Sequence, residues 1–160
     1  MGDVIAAEML DSLERGQRCA DTSTLEALAE HAHEVADDPS PEGLARGQRV
    51  EVVVTELPSG VSGLLTDRIY VRRGLPRDVQ VLVILHELAH AMLRAAGMDD
   101  PHGDVWRLAL ALAAPKPTLA AMMRQGEVLA ADLAAASGVP WWAASVRLDM
   151  TEIIFGIYGG

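Results

Sequence analysis

The sequence has few features that would direct the protein to a membrane or out of the cell. Its 160 residues include a single cysteine, Cys19, so an internal disulfide is excluded. The longest apolar run, 81–85, is far too short to cross a bilayer. The N-terminal residues carry no basic region before their first apolar residues, and we therefore expect no signal peptide. Together these absences favour a cytoplasmic protein that does not contact a membrane.

Positive charge is also scarce. Thirteen Lys and Arg residues stand against 23 Asp and Glu residues, which gives a net charge of −10. Such a chain does not attract DNA phosphates through its overall field, so we expect no direct nucleic-acid partner. Residues 129–140 are similar to a helix-turn-helix pattern, but they offer almost no hydrogen-bond donors to bases or phosphates. We interpret them as helices that pack on a core.

The pattern H-E-x-x-H is the most informative feature that is present. It consists of His86, Glu87 and His90 within a largely apolar stretch. In a helix, residues four apart lie on the same face, so both imidazoles can bind one metal ion. Glu87 lies about a quarter-turn away, where it can reach a water molecule without binding the metal itself. This is the arrangement of zinc peptidases, with two imidazole ligands and an adjacent general base.

A chance match to this short pattern is the alternative interpretation. The neighbours of the three ionisable side chains are nearly all Val, Leu, Ile, Ala and Met. Burying such side chains without a partner would cost several kcal/mol. A bound metal ion removes that penalty for all three, so the composition of the helix favours a metal site.

Hydrophobic periodicity predicts an α+β fold that is mainly helical, with a small three-stranded antiparallel β-sheet beside the HExxH helix. Residues 49–56 form a β-branched strand, and residues 62–65 and 68–71 flank a tight turn as a hairpin. The HExxH helix is expected to begin near Pro76 and to end before Gly97. The other helices are predicted at about 4–15, 25–36, 104–114, 118–124, 127–136 and 140–148.

A catalytic zinc ion usually has three protein ligands, so one more is expected downstream of His90. The candidates are Asp99, Asp100, His102 and Asp104. Asp104 is favoured because it opens an apolar helix that should pack on the HExxH helix, and because a helix dipole stabilises a carboxylate in the first turn. Simple capping of that helix is the alternative role for Asp104.

With these residues in place, the chain resembles the ImmA/IrrE family of zinc metallo-endopeptidases over about residues 45–148. The resemblance begins with the strand 67–71 and continues through the HExxH helix, an alanine-rich helix and the terminating Pro115. It implies that Asp104 is the third metal ligand, although the family usually has Glu at that position. Because Asp is shorter than Glu, His102 stays an alternative ligand.

The resemblance implies a zincin-like metallopeptidase domain over residues 1–148. N-terminal helices would occupy 1–40, the sheet and HExxH helix 45–97, and C-terminal helices 104–148, whereas the tail 149–160 is left unassigned. The expected cofactor is Zn²⁺, with His86, His90 and Asp104 as metal ligands and Glu87 as the catalytic base.

The expected activity is zinc-dependent cleavage of a protein partner, which the resemblance implies is a helix-turn-helix transcriptional repressor in phage, mobile-element or stress regulation. Tyr70 and His102 are candidates for a further donor to the oxyanion, between which the sequence does not choose, and packing within the strand is the alternative role of Tyr70. The alternative is a non-catalytic module of regulatory or toxin–antitoxin type that keeps the fold and binds a partner. The sequence does not fix the oligomeric state.

Overall fold

A computed structural model describes residues 1–156 of the chain. These residues form nine helices and three strands, which confirms the prediction of a mainly helical α+β fold. The helices are α1 (Gly2–Arg15), α2 (Thr22–Val35), α3 (Pro41–Gly47), α4 (Arg77–Ala95), α5 (His102–Ala113), α6 (Lys116–Arg124), α7 (Ala130–Ser137), α8 (Trp141–Asp149) and α9 (Thr151–Ile154). The strands are β1 (Val52–Thr55), β2 (Gly63–Leu65) and β3 (Ile69–Arg72).

Helix α4 carries the HExxH motif and is apolar on almost all sides. Pro76 immediately precedes its first residue, where a fixed φ suits the start of a helix. Gly97 follows its end with φ +70°, a left-handed conformation that glycine adopts without a steric penalty. Helix α5 packs along α4, and strands β2 and β3 also pack against α4. The motif is therefore held between a helix and the sheet.

The sheet is mixed, so the prediction of a wholly antiparallel sheet is wrong. Its order is β1-β3-β2, with β2 antiparallel to β3 and β1 parallel to β3. The predicted hairpin around the turn 66–67 is confirmed, whereas β1 does not form a hairpin with β2. Residues 56–62, which include Pro58 and Gly60, carry the chain past β3 to the other edge of the sheet. Strand β2 consequently forms an edge beside α4.

Two segments differ from the sequence-based prediction. The apolar pattern does not predict helix α3, yet the hydroxyl of Ser40 accepts a hydrogen bond from the amide of Gly43, and Pro41 occupies the first position of the helix. In the unassigned tail, α9 places Ile154 in the core. Residues 157–160, the rest of that tail, lie outside the described residues.

One hydrophobic core extends from Ile5 in α1 to Ile154 in α9. Among the described residues, no helix combines the length and apolar character needed to cross a membrane.

A buried ion pair lies within the core: the Arg147 guanidinium donates to both carboxylate oxygens of Glu26, at 2.6 and 2.8 Å, and to the carbonyl of Ala114. The first, second and last helices of the described chain are thus tied to one core.

Candidate metal centre

Helix α4 places the three motif residues together, as its sequence predicts. The ring centroids of His86 and His90 lie 4.9 Å apart, one turn from each other on the same face. Glu87 is largely buried next to them, and all three side chains line one cavity. The helix therefore supplies two imidazoles and a carboxylate to one space.

The start of α5 adds a third imidazole. The His102 ring centroid lies 5.7 Å from that of His86 and 5.4 Å from that of His90. One ring nitrogen from each of the three histidines lies within 4.8 Å of the other two, so the group can hold a metal ion. His102 is exposed at the rim of the cavity, whereas the two α4 histidines lie deeper.

Asp100 fixes the orientation and the tautomer of His90. Its Oδ2 lies 2.7 Å from His90 Nδ1 and also accepts a hydrogen bond of 2.7 Å from Arg94 Nε. Burial opposes ionisation of Asp100, but the two hydrogen bonds outweigh it and hold the pKa of its carboxyl below the usual value. Because an ionised carboxylate only accepts, Nδ1 of His90 carries the proton and Nε2 keeps its lone pair for a metal.

The protonation of His90 also suits a metal ligand. Burial, the largest influence, lowers the pKa of the His90 imidazole, and the hydrogen bond to Asp100 only partly opposes it. A lowered pKa favours the neutral ring near pH 7. Since only a neutral imidazole coordinates a metal ion, the environment prepares this side chain for binding.

His86 provides the second unused lone pair. Its Nδ1 lies 3.2 Å from Glu87 Oε1, whereas its Nε2 is buried and has no hydrogen-bond partner among residues 1–156. A buried polar atom without a partner is costly, and native proteins rarely leave one unexplained. A metal ion at this nitrogen accounts for it, so the donor set fits a bound metal.

Asp104, the third ligand expected from the sequence, is not part of this histidine group. Its side chain is fully buried, and Oδ2 accepts hydrogen bonds of 2.9 Å from the backbone amides of both Cys19 and Ala20. The carboxylate therefore anchors the loop between α1 and α2 to the first turn of α5. The structure thus brings His102 rather than Asp104 to the two motif histidines, while Oδ1 of Asp104 is buried without a hydrogen-bond partner among residues 1–156.

The cavity beside the histidines has a volume of about 450 Å³. Strand β2 forms one wall, and Gly63 allows its close approach to α4, since a Cβ there would lie 2.5 Å from Val83 Cγ1 and 3.3 Å from Glu87 Oε1. Trp106 of α5 forms another wall, with its ring centroid 4.3 Å from that of His86. Gly63 and Trp106 are not identifiable as site residues from the sequence, because only the packing of β2 and α5 on α4 gives them a role.

Tyr70, one of the two oxyanion candidates, is not among the residues that line the cavity beside the histidines. Tyr70 alternates along β3 with the buried Ile69 and Val71, so it lies on the opposite face of the sheet from them. It does not line the cavity, which is consistent with a packing role in the strand. Cys19 is exposed, and it is its backbone amide that bonds to Asp104.

No protein-family model matches this chain, and no curated protein matches it. The resemblance to the ImmA/IrrE family therefore stays an expectation from the motif residues. The geometry of the histidines, Glu87 and the cavity carries the functional argument.

Proposed function

We propose that this protein is a zinc-dependent endopeptidase in which His86, His90 and His102 hold the metal and Glu87 is the catalytic base. The observation that carries the proposal is the group of three imidazole nitrogens within 4.8 Å of one another, beside a carboxylate in the same cavity. Three protein ligands leave a fourth position for water, which is the composition of a catalytic rather than a structural zinc site.

Zinc is the proposed metal because neutral imidazoles suit it and because an HExxH helix with an adjacent Glu is its usual setting. A zinc ion bound here would act as a Lewis acid toward water and a peptide carbonyl. The orphaned Nε2 of His86 and the free Nε2 lone pair of His90 support the fit. A metal ion could therefore bind at either Nε2 atom without breaking an existing hydrogen bond.

Glu87 moves the protons in the proposed reaction. Its carboxylate accepts a proton from the attacking water and later donates a proton to the amine that leaves the cleaved bond. Burial against β2 keeps the side chain beside the histidines. Asp100 and Arg94 contribute indirectly, since their contacts hold the His90 ring in one orientation.

A peptide in extended conformation is the substrate class that the cavity suits. Strand β2 lines the cavity and forms the edge of the sheet, and an edge strand can hydrogen-bond an added strand through its backbone. Such binding would hold the substrate backbone alongside Glu87, because Gly63 of β2 already approaches that residue.

The proposed substrate is a specific protein partner, a helix-turn-helix repressor. The ImmA/IrrE resemblance suggests this class, and the net charge of −10 supports it because DNA-binding proteins are basic. Opposite net charges would speed the encounter of the two proteins at low salt.

The test uses the zinc-loaded wild type and Glu87→Gln with a repressor encoded beside this gene, and with casein as an unrelated substrate. We expect cleavage of the repressor alone, and a loss of rate on the order of 10²–10⁴-fold in the variant with zinc retained. Repressor binding without cleavage by the wild type would favour the non-catalytic alternative. Cleavage of casein but not the repressor would contradict the proposed specificity.

A further inference from the structure

Two arginine side chains meet at a second cavity, which shares no lining residue with the metal cavity. It has a volume of about 270 Å³ and lies among α1, the start of α2, α5, α8 and α9. We name it the Arg107 cavity after its most buried charged residue. Its principal lining residues are Leu10, Leu13, Arg18, Arg107, Met150 and Ile153.

The two guanidinium groups converge on one acceptor. Arg18 NH2 and Arg107 NH2 each donate to the backbone carbonyl of Leu13, both at 3.3 Å. Arg107 also donates to the carbonyl of Gly103 at 2.9 Å and is 9 % exposed. Burial and the nearby charge of Arg18 lower the pKa of the Arg107 guanidinium. Two like charges are thus held close together, that of Arg107 buried and that of Arg18 exposed.

The charges of this pair are not neutralised by a direct ion pair. Within the described residues, no carboxylate oxygen lies within 4.0 Å of a nitrogen of Arg18 or Arg107. Asp104 is the nearby acid that favours the charge of Arg107, but it forms no direct ion pair with it: Oδ2 accepts from two backbone amides, and Oδ1 has no hydrogen-bond partner among residues 1–156. A buried charge without a paired counter-ion is unfavourable, so the site is suited to receive an anion.

We propose that the Arg107 cavity binds a small monocarboxylate with an apolar chain. The guanidinium fork matches a carboxylate through paired hydrogen bonds. The apolar side chains of Leu10, Leu13, Met150 and Ile153 provide a surface for the chain of the ligand.

The charge around the cavity selects against more highly charged anions. Glu14 and Asp149 also line the cavity, and the protein as a whole is acidic. These carboxylates would repel a dianion such as phosphate more strongly than a monoanion. A singly charged ligand with an apolar body fits both the pair of arginines and their acidic neighbours.

The test is a titration of the full-length protein with octanoate, followed by NMR of the backbone amides and the Met150 methyl group. Octan-1-ol and inorganic phosphate serve as comparison ligands. We expect saturable binding of octanoate, with shifts at Leu13, Arg107 and Met150 and none around His86. Binding of octan-1-ol with equal affinity, binding of phosphate alone, or no saturable binding would overturn the proposal.

Three variants test the role of charge. Arg18 is exposed, so Arg18→Gln should leave the fold intact. The variant should bind octanoate about tenfold or more weakly, since a hydrogen bond between two charged groups is lost. Asp149→Asn should tighten binding by removing a repulsive charge. Arg124 is exposed and lies outside the cavity, so the control variant Arg124→Gln should bind octanoate as tightly as the wild type does. Wild-type affinity in Arg18→Gln would overturn the assignment, whether or not an Arg107→Gln variant folds.

Discussion

Replacement of Gly63 by alanine tests how β2 is packed against the metal helix. The added Cβ would lie 2.5 Å from Val83 Cγ1, well inside van der Waals contact, and 3.3 Å from both Cγ and Oε1 of Glu87. Val83 is β-branched and buried in α4, so its methyl group has little freedom to move away. The strand must therefore shift away from Val83, and the side chain of Glu87 must adjust slightly to the tight contact of 3.3 Å.

Overpacking of this kind costs about 1–3 kcal/mol of folding free energy. We therefore expect Gly63→Ala to lower the free energy of unfolding by that amount in urea titrations followed by circular dichroism. Gly2→Ala is the matched control, because its new Cβ would meet only Val79 Cγ2 at an ordinary 3.8 Å. The control should be as stable as the wild type.

The same substitution should reduce peptide cleavage more than it reduces zinc content. The new Cβ would be in tight contact with the side chain of Glu87, whereas no histidine atom is among the three atoms nearest to it. A Gly63→Ala protein with wild-type stability and wild-type cleavage would refute the argument that β2 requires a residue without a side chain at this point.

Three further predictions follow from other contacts. Asp100→Asn should weaken zinc affinity about 10–100-fold in competition with a chelator, because the carboxylate orients His90; unchanged affinity would contradict that role. Arg147→Met should lower the free energy of unfolding in urea by about 3–5 kcal/mol, because it leaves Glu26 charged and buried. Adding Glu26→Leu to the same chain should restore most of that stability. An Arg147→Met protein as stable as the wild type would contradict a stabilising role for the ion pair. Arg49→Gly should raise stability by up to about 1 kcal/mol, because Arg49 has φ +61° after the end of α3, and a loss of stability would show that its side chain is needed.

The helices that the sequence predicts well are those with a strong apolar face or a clear stop. Helix α4 has apolar residues throughout, Pro76 before it and Gly97 after it, so both its existence and its ends follow from local rules. Helix α3 is not predicted because its seven residues, which include Gly43 and Gly47, give no clear period, although Ser40 followed by Pro41 is a helix start signal that the sequence contains.

The features that the sequence did not predict depend on contacts between distant segments. The direction of β1 relative to β3 is set by the path of residues 56–62, which no local propensity determines. By contrast, the grouping of His86, Glu87 and His90 follows from their spacing on one helix, and the sequence predicts it. The choice between His102 and Asp104 depends on how the loop between α1 and α2 meets α5, since two amides of that loop bond to Oδ2 of Asp104.

The most direct test of the proposed metal centre is the zinc content of three purified proteins: the wild type, His102→Ala and Asp104→Asn. The asparagine variant keeps an oxygen acceptor for the amides of Cys19 and Ala20, and circular dichroism checks that each protein is folded. We predict one zinc ion per chain in the wild type and in Asp104→Asn, and a strong loss in His102→Ala. Full occupancy in His102→Ala with loss in Asp104→Asn, or a folded wild type without affinity for zinc, would contradict the account.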